Sequence, residues 1–483
     1  MSTALKRHAA AHVHAQATCP ATARATTHMP VQAMRRVAAP GPGQNSPAAA
    51  LLVAALLACT LHGSAAAQAV LPGDEPNGPY PGYWSWPAIV EKVQQYQRDY
   101  PDLVHVQPIG RTYEGRDILA VKITKDVHAD DEEKAESLFM AGIHPREQSP
   151  QISIMRFMDE LITGYGTDER ATRLLDTRTL WVIPVYNVDG KVHDFKYGNG
   201  QTRGANWRTS RQPFGPDTFG IDLNRNGLVG WGSASWTPGS STYHGPGPIS
   251  APESQALFDF MATRRFRLFL DIHSTSRAYL MPGPKIREDA DIYRYLTLGM
   301  QARQREPYRG TVGRNETQSN PASGTGVGQT HVTGLYAHGA ISYIYELGPA
   351  NFYAPPDSIH AQYERNIREP WYFLFEESIN LPLRRDGDFR LAAASVSGPL
   401  TPGARVEWAP EVEGDVAYGV LVSRTADIRV TGEYRLHPLS AGGHILNVAE
   451  NAVPGTEVPL QLYLWDRERR RTIIDITVRV ESP

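Results

Sequence analysis

Three short apolar runs in this chain each lead into a side chain that can bind a metal or carry a proton. Ser137–Ile143 leads to His144, Phe266–Ile272 to His273, and Ile341–Tyr345 to Glu346. Runs of this length and composition predict buried strands. A fourth run, Leu180–Val185, ends before Asn187-Val188-Asp189-Gly190. Helical patterns lie between and around them. Trp86–Tyr100 puts Ile89, Val93 and Tyr96 on one face. Pro150 opens a pattern whose stripe is Ile152, Ile154, Met155, Phe157, Met158, Leu161 and Ile162, and Pro252–Thr263 and Ile292–Arg303 follow. Strands alternating with helices predict an α/β fold: a mixed, mostly parallel sheet with helices on both faces. Ligands of such sheets collect at the carboxyl ends of the strands. His144, Glu147, His273 and Glu346 are therefore expected at one rim, where two imidazoles and two carboxylates suit one metal ion and a base. Each residue alone has an ordinary structural explanation, a capped histidine or a salt-bridged strand end. Their joint placement does not.

The remaining chain divides into a leader and a tail. Residues 1–69 hold Lys6, Arg7, Arg24, Arg35 and Arg36 and no acid. The apolar run Ala48–Leu61 is too short for a membrane span, and Ala67-Gln68-Ala69 resembles a small-residue cleavage site. We expect a cleaved export signal over 1–69, with periplasmic or secreted location in a bacterium; lipid anchoring at Cys59 is the less favoured alternative. Removing the leader shifts the formal net charge from -3 to -8, which argues against nucleic acid as a partner. Both cysteines, Cys19 and Cys59, leave with it, so any metal must use His, Asp or Glu. Val70–Gly82 reads as a linker, and Asp130–Glu136 as a solvated acidic loop. A helix over Tyr363–Phe375 is expected to break at Pro370. Residues 70–382 form the expected catalytic unit. Residues 388–483 read as a small all-β sandwich of roughly seven strands that packs on it or binds generically, with Arg467, Arg469, Arg470 and Arg471 on a solvated turn.

Ordered motifs carry a family resemblance from about Tyr83 to Asn380. They are Ile109–Arg116, His144-Pro145-Arg146-Glu147, Pro184–Gly190, Asn206-Trp207-Arg208, Asp222-Leu223-Asn224-Arg225-Asn226, Tyr243-His244-Gly245, Asp271-Ile272-His273-Ser274 and Tyr345-Glu346-Leu347. In these the chain resembles the zinc metallocarboxypeptidases of the pancreatic carboxypeptidase A type. The resemblance implies one Zn2+ held by His144, Glu147 and His273, with Glu346 as general base. It implies Arg208 facing the oxyanion, Asn224 and Arg225 holding the substrate's free C-terminal carboxylate, and Arg146 lining outer subsites. The family places a tyrosine before its Ala-Ser-Gly run; here that place holds Asn320, before Pro321-Ala322-Ser323-Gly324. Thr325–Tyr336 does not align cleanly, and His331 and Arg277 are expected to face solvent rather than select an acidic terminal residue. No inhibitory N-terminal domain is expected. The reading is a monomeric exported peptidase acting on peptides or proteins with a free C-terminus, without a transmembrane segment. The alternatives are a peptidase of cell-wall stem peptides and a non-catalytic peptide-binding protein on the same fold.

Overall fold

Seven strands form the central sheet of the computed structural model, which describes residues 14–16, 82–129, 133–198, 204–282, 287–309, 328–383, 386–425, 427–431, 444–466, 468 and 470–483. Numbered from the first strand of this sheet, they are β1 (Val104–Arg111), β2 (Asp117–Ile123), β3 (Ala135–Ala141), β4 (Arg178–Ile183), β5 (Phe266–Ser274), β6 (Ala278–Leu280) and β7 (Ile341–Leu347). Their order across the sheet is β1-β2-β4-β3-β5-β7-β6. The four central strands β4, β3, β5 and β7 are parallel. β1 and β2 lie antiparallel at one edge and β6 at the other. Successive side chains of a strand point to opposite faces. Leu138, Phe139 and Met140 of β3 are nevertheless all buried, as are Leu268, Phe269 and Leu270 of β5. Both faces are therefore covered, as expected of parallel strands.

The helices are α1 (Trp86–Asp99), α2 (Gln148–Gly164), α3 (Glu169–Thr177), α4 (Val188–Lys196), α5 (Pro252–Ala262), α6 (Arg287–Gln301), α7 (Thr330–Tyr336), α8 (Pro356–Gln362) and α9 (Arg368–Glu377). The Ser85 side chain accepts from Ala88 N–H at the start of α1, and Asn187 does the same for Gly190 in α4. α2 begins two residues before Pro150, which sits in its first turn, where a missing N–H costs nothing. Two expectations need correction. Glu136 is not in a solvated loop: it lies in β3 and accepts from the Trp181 indole at 2.9 Å. The helix expected over Tyr363–Phe375 changes character one turn before Pro370: Tyr363–Ile367 is a π turn, and Pro370 stands in the first turn of α9. The carbonyl it leaves without a helical donor, that of Asn366, accepts from Gln304 Nε2 at 2.8 Å and Tyr345 Oη at 3.1 Å.

Beyond residue 388 the described residues form seven strands: β8 (Arg390–Val396), β9 (Arg405–Glu413), β10 (Tyr418–Ser423), β11 (Ile428–Thr431), β12 (His444–Val448), β13 (Glu457–Trp465) and β14 (Arg471–Arg479). One antiparallel sheet has the order β8-β9-β12-β11; the other holds β10, β13 and β14, with His14–Gln16 antiparallel to β14 at its edge. Trp408, Leu421, Leu446, Leu460, Leu462 and Ile476 from both sheets are buried in one cluster. The Leu421 N–H donates across to His444 Nε2 at 3.1 Å. Apart from His14–Gln16, the expected leader lies outside the described residues. Among those residues no helix is long and apolar enough to cross a membrane.

Candidate metal centre and the residues around it

Register builds the centre. β5 and β7 pair so that His273 is directly opposite Glu346, and β3 ends beside Ile272 on the other flank of β5. The chain then turns through Gly142 at φ +71°, where a Cβ would stand 3.1 Å from Val185 Cα. This turn delivers His144 and Glu147 to the same rim. The offered ligand atoms of His144, Glu147 and His273 all lie within 4.8 Å of one another, and the three residues are buried. Glu147 Oε2 is 3.3 Å from His273 Nδ1 and accepts from Ser274 N–H at 3.0 Å.

The surrounding groups decide what this trio can hold. His273 Nε2 faces Asp271 Oδ2 at 3.2 Å, which leaves Nδ1 as the coordinating nitrogen. Burial alone lowers the pKa of His273, but Asp271 and Glu147 outweigh it and raise the value well above the usual one. The pocket therefore favours positive charge between these carboxylates. His144 goes the other way: burial, then Arg208 and His273, hold its pKa well below the ordinary value. It is the neutral imidazole that a metal requires. Two imidazoles and one carboxylate, buried and convergent, fit a zinc ion with a further position open. Glu346, at the end of β7, accepts from Ser276 N–H at 3.3 Å. Burial, reinforced by Glu147, raises its pKa against the opposing pull of His273.

The expected substrate-facing residues divide. Arg208 is held by Asp222 at 2.9 Å and by the Ser241 carbonyl. Burial lowers its pKa, but Asp222 and Glu147 more than compensate and hold it fully charged. Arg225 donates to the Asn224 carbonyl at 2.7 Å, and no described carboxylate lies within ion-pair distance of it. Burial lowers its pKa, with Asp222 opposing. Arg146 lies 4.4 Å over the Phe352 ring. Asn320 lies outside the described residues. His331 corrects an expectation: it does not face solvent but is fully buried on α7. The reason is that α7 packs against β5 and β7. Burial, then His273 and Arg225, push its pKa down to about 3, so it is neutral at physiological pH. Arg277 is half exposed, 3.4 Å from Glu306.

Sequence reasoning assigned no role to Asp222, Asp271 or Lys191. Asp271 had a readable signal: two residues before His273 on one strand, it shares that histidine's face. Lys191 had none. It is fully buried, and its ammonium donates to Gln148 Oε1 at 2.8 Å, while Gln148 Nε2 donates to the Pro145 carbonyl. It thereby braces the loop that carries His144 and Glu147.

Comparison with known proteins agrees with this geometry. The chain is 34% identical to rat (Rattus norvegicus) carboxypeptidase B over 209 residues, which cover 42% of this chain and 48% of that one. It is 35% identical to a zinc carboxypeptidase of Saccharothrix mutabilis subsp. capreolus over 159 residues, 33% of this chain and 35% of the other. It thus spans at most about half the length of these relatives. Among solved structures it is similar to thrombin activatable fibrinolysis inhibitor, with TM-score 0.53 and 23% identity over 62% of this chain and 75% of that one. Carboxypeptidase A from Helicoverpa armigera gives 0.51 and 23% over 69% and 80%. At these identities the structures speak for the fold alone. The zinc carboxypeptidase profile matches residues 89–369, more than half of the 483, and the chain belongs to that family.

Proposed function

We propose that this protein is an exported zinc metallocarboxypeptidase that removes the last residue of peptides or proteins with a free C-terminus. The observation that carries the reading is the buried His144–Glu147–His273 cluster with Glu346 beside it in strand register. A zinc ion held by those three residues supplies Lewis acidity, polarising a scissile carbonyl and lowering the pKa of water to about 7. The protein's own groups do the rest. Glu346 takes a proton from the attacking water and returns it to the leaving amine. Its raised pKa suits a group that must hold that proton between the two events. Arg208, fixed by Asp222, offers a preorganised cation to the developing oxyanion. Arg225, which pairs with no described carboxylate, and Asn224 hold the terminal carboxylate, which an internal peptide bond lacks. Arg146 lines the outer subsites. Catalysis then needs no covalent intermediate.

The test uses the purified full-length protein and N-blocked peptides that differ only in the last residue, each as free acid and as amide. Release of the last residue from the acids alone, abolished by a chelator and restored by zinc, is the expected result. Equal cleavage of the amides, or cleavage indifferent to the chelator, overturns the reading. Stoichiometric zinc with no hydrolysis of any peptide makes this a binding protein instead.

A further inference from the structure

Thr330, the first residue of α7, lies in the stretch that matched no motif, and its contacts join two parts of the site. Its hydroxyl hydrogen-bonds Asp271 Oδ2, the carboxylate oxygen that faces His273 Nε2. Its backbone N–H donates to Asn224 Oδ1 at 3.3 Å, and its Oγ1 lies 3.4 Å from the same oxygen. Thr330, Asp271, Asn224 and His273 are all buried. The geometry around them is tightly constrained. A Cβ on Gly328 would stand 2.2 Å from the Arg225 carbonyl oxygen, and Gly328 accepts from Gly227 N–H at 2.7 Å. Thr333 Oγ1, one turn further, accepts from the N–H groups of Leu228 and Val229 at 2.9 and 3.3 Å. The start of α7 is therefore stitched along Asn224–Val229.

A side-chain amide has an acceptor end and a donor end. A backbone N–H can only donate, so Thr330 fixes the Asn224 oxygen inward and turns Nδ2 away. That nitrogen donates to no described group. The hydroxyl has one proton, and the shorter contact assigns it to Asp271. One residue thus sets which end of Asn224 is presented and seats the carboxylate behind a metal ligand.

We propose that Thr330 is a positioning residue that couples the C-terminal carboxylate clamp, through Asn224, to the metal ligand His273, through Asp271. This rests on the function proposed above. Two measurements separate its halves: zinc affinity by competition with a chromophoric chelator, and KM against kcat on free-acid peptides. Thr330→Val keeps shape and backbone N–H but removes the hydroxyl. Its zinc affinity should fall by about 10- to 100-fold, as for other losses behind a metal-bound histidine. Its KM should stay within about threefold at saturating zinc, because the N–H that holds Asn224 is untouched. Thr330→Pro, at a first helical position that follows the extended Gln329, also removes that N–H and should raise KM by about three- to tenfold, the worth of one hydrogen bond. Thr330→Ser should recover the zinc affinity. In an Asn224→Ala background the KM effect of Thr330→Pro should vanish while the zinc effect of Thr330→Val remains. Unchanged zinc affinity in Thr330→Val, unchanged KM in Thr330→Pro, or a serine variant as impaired as the valine, overturns the proposal. So does a KM effect that persists without Asn224. Should the valine variant fail to fold, Thr330→Cys, close in shape and a weak donor, takes its place in every arm. A wild-type protein inactive on all peptides defeats the parent reading instead, and the chelator titration still decides the metal half.

Discussion

The rim of the central sheet and the two tail sheets bury polar groups in opposite ways. At the rim, His144, Glu147, Asp222, Asp271, His273 and Thr330 are all buried within a few strand ends, and most pair with one another. In the tail, burial alternates over Glu457–Leu462 of β13 and Ile474–Arg479 of β14, and the core includes Trp408, Leu421, Leu446, Leu460 and Leu462. Its buried charges among the described residues are Asp466, which pairs with Arg470, and Arg471, which donates to the Ala337 carbonyl outside the tail sheets. Buried charges are poor contributors to stability. A dense set of them at a strand rim therefore points to function, whereas an arginine that reaches from the tail to the residues after α7 points to attachment. The two regions should respond differently to substitution: the rim in rate, the tail in stability.

The strongest way to break that contrast is at Glu346. Glu346→Gln keeps the shape and removes the base, so kcat on free-acid peptides should fall by about 10²- to 10⁴-fold. Burial already disfavours the ionised form of Glu346, so the melting temperature should hold or rise. A variant with lost activity and an equally large loss of stability would make the rim an ordinary structural core. The next test concerns a buried carboxylate away from the rim. Glu253 on α5 is fully buried and accepts from Tyr113 N–H at 3.2 Å. Burial, then Asp189, push its pKa up to about 8. The unfolded chain ionises near 4.3. Between these values the native state holds a proton that the unfolded state has released, so stability falls as pH rises from about 4.3 to about 8 and is flat beyond. Glu253→Gln should remove that slope, gaining on the order of a few kcal/mol over wild type between pH 5 and pH 9 in paired denaturant titrations. A difference that stays constant across that range sinks the assignment.

How much of this was readable from the chain depends on how local the signal is. His144, His273 and Glu346 follow apolar runs, and strand ends are visible as breaks in hydropathy. The helix faces of Ile89, Val93 and Tyr96 and the parallel core were legible for the same reason. Thr330 was not, because its meaning comes from where α7 lands against Asn224 and Asp271, more than fifty residues away in sequence. His331 was misread as solvent-facing because polarity within an unaligned stretch says nothing about the helix that buries it. Pro370 was misread because the donors to the Asn366 carbonyl, Gln304 and Tyr345, come from other elements. The strands β8, β11 and β12 carry weaker apolar patterns than β10 and β13. Two of the expected site residues' neighbours, Asp222 and Asp271, stood in recognised motifs yet received no role, since a carboxylate behind a ligand looks like any other buried acid.

Arg471 closes the contrast from the tail side, and it is also where the expectation of a solvated arginine turn fails. The four arginines do not share one environment. Arg470 is partly exposed and pairs with Asp466 at 2.5 Å, while Arg467 and Arg469 lie outside the described residues. Arg471 opens β14 and is buried, with Nη1 donating to the Ala337 carbonyl at 2.9 Å and to His338 Nδ1 at 2.8 Å. Ala337 and His338 directly follow α7, the helix whose first residue holds Asn224. A second arginine, Arg424, reaches Asp259 on α5 at 2.7 Å. The tail therefore contacts the rest of the chain at α5 and at the far end of the helix that begins with Thr330. Arg471→Met fills much of the volume but leaves the Ala337 carbonyl and His338 without this donor. The expected cost is about 1–3 kcal/mol of stability, the usual price of stranding buried acceptors. These contacts involve none of His144, Glu147, His273 and Glu346, so kcat should change less than about threefold. A variant of unchanged stability but greatly reduced kcat reverses the contrast: the tail would then act on the reaction itself, through α7, and not as attachment.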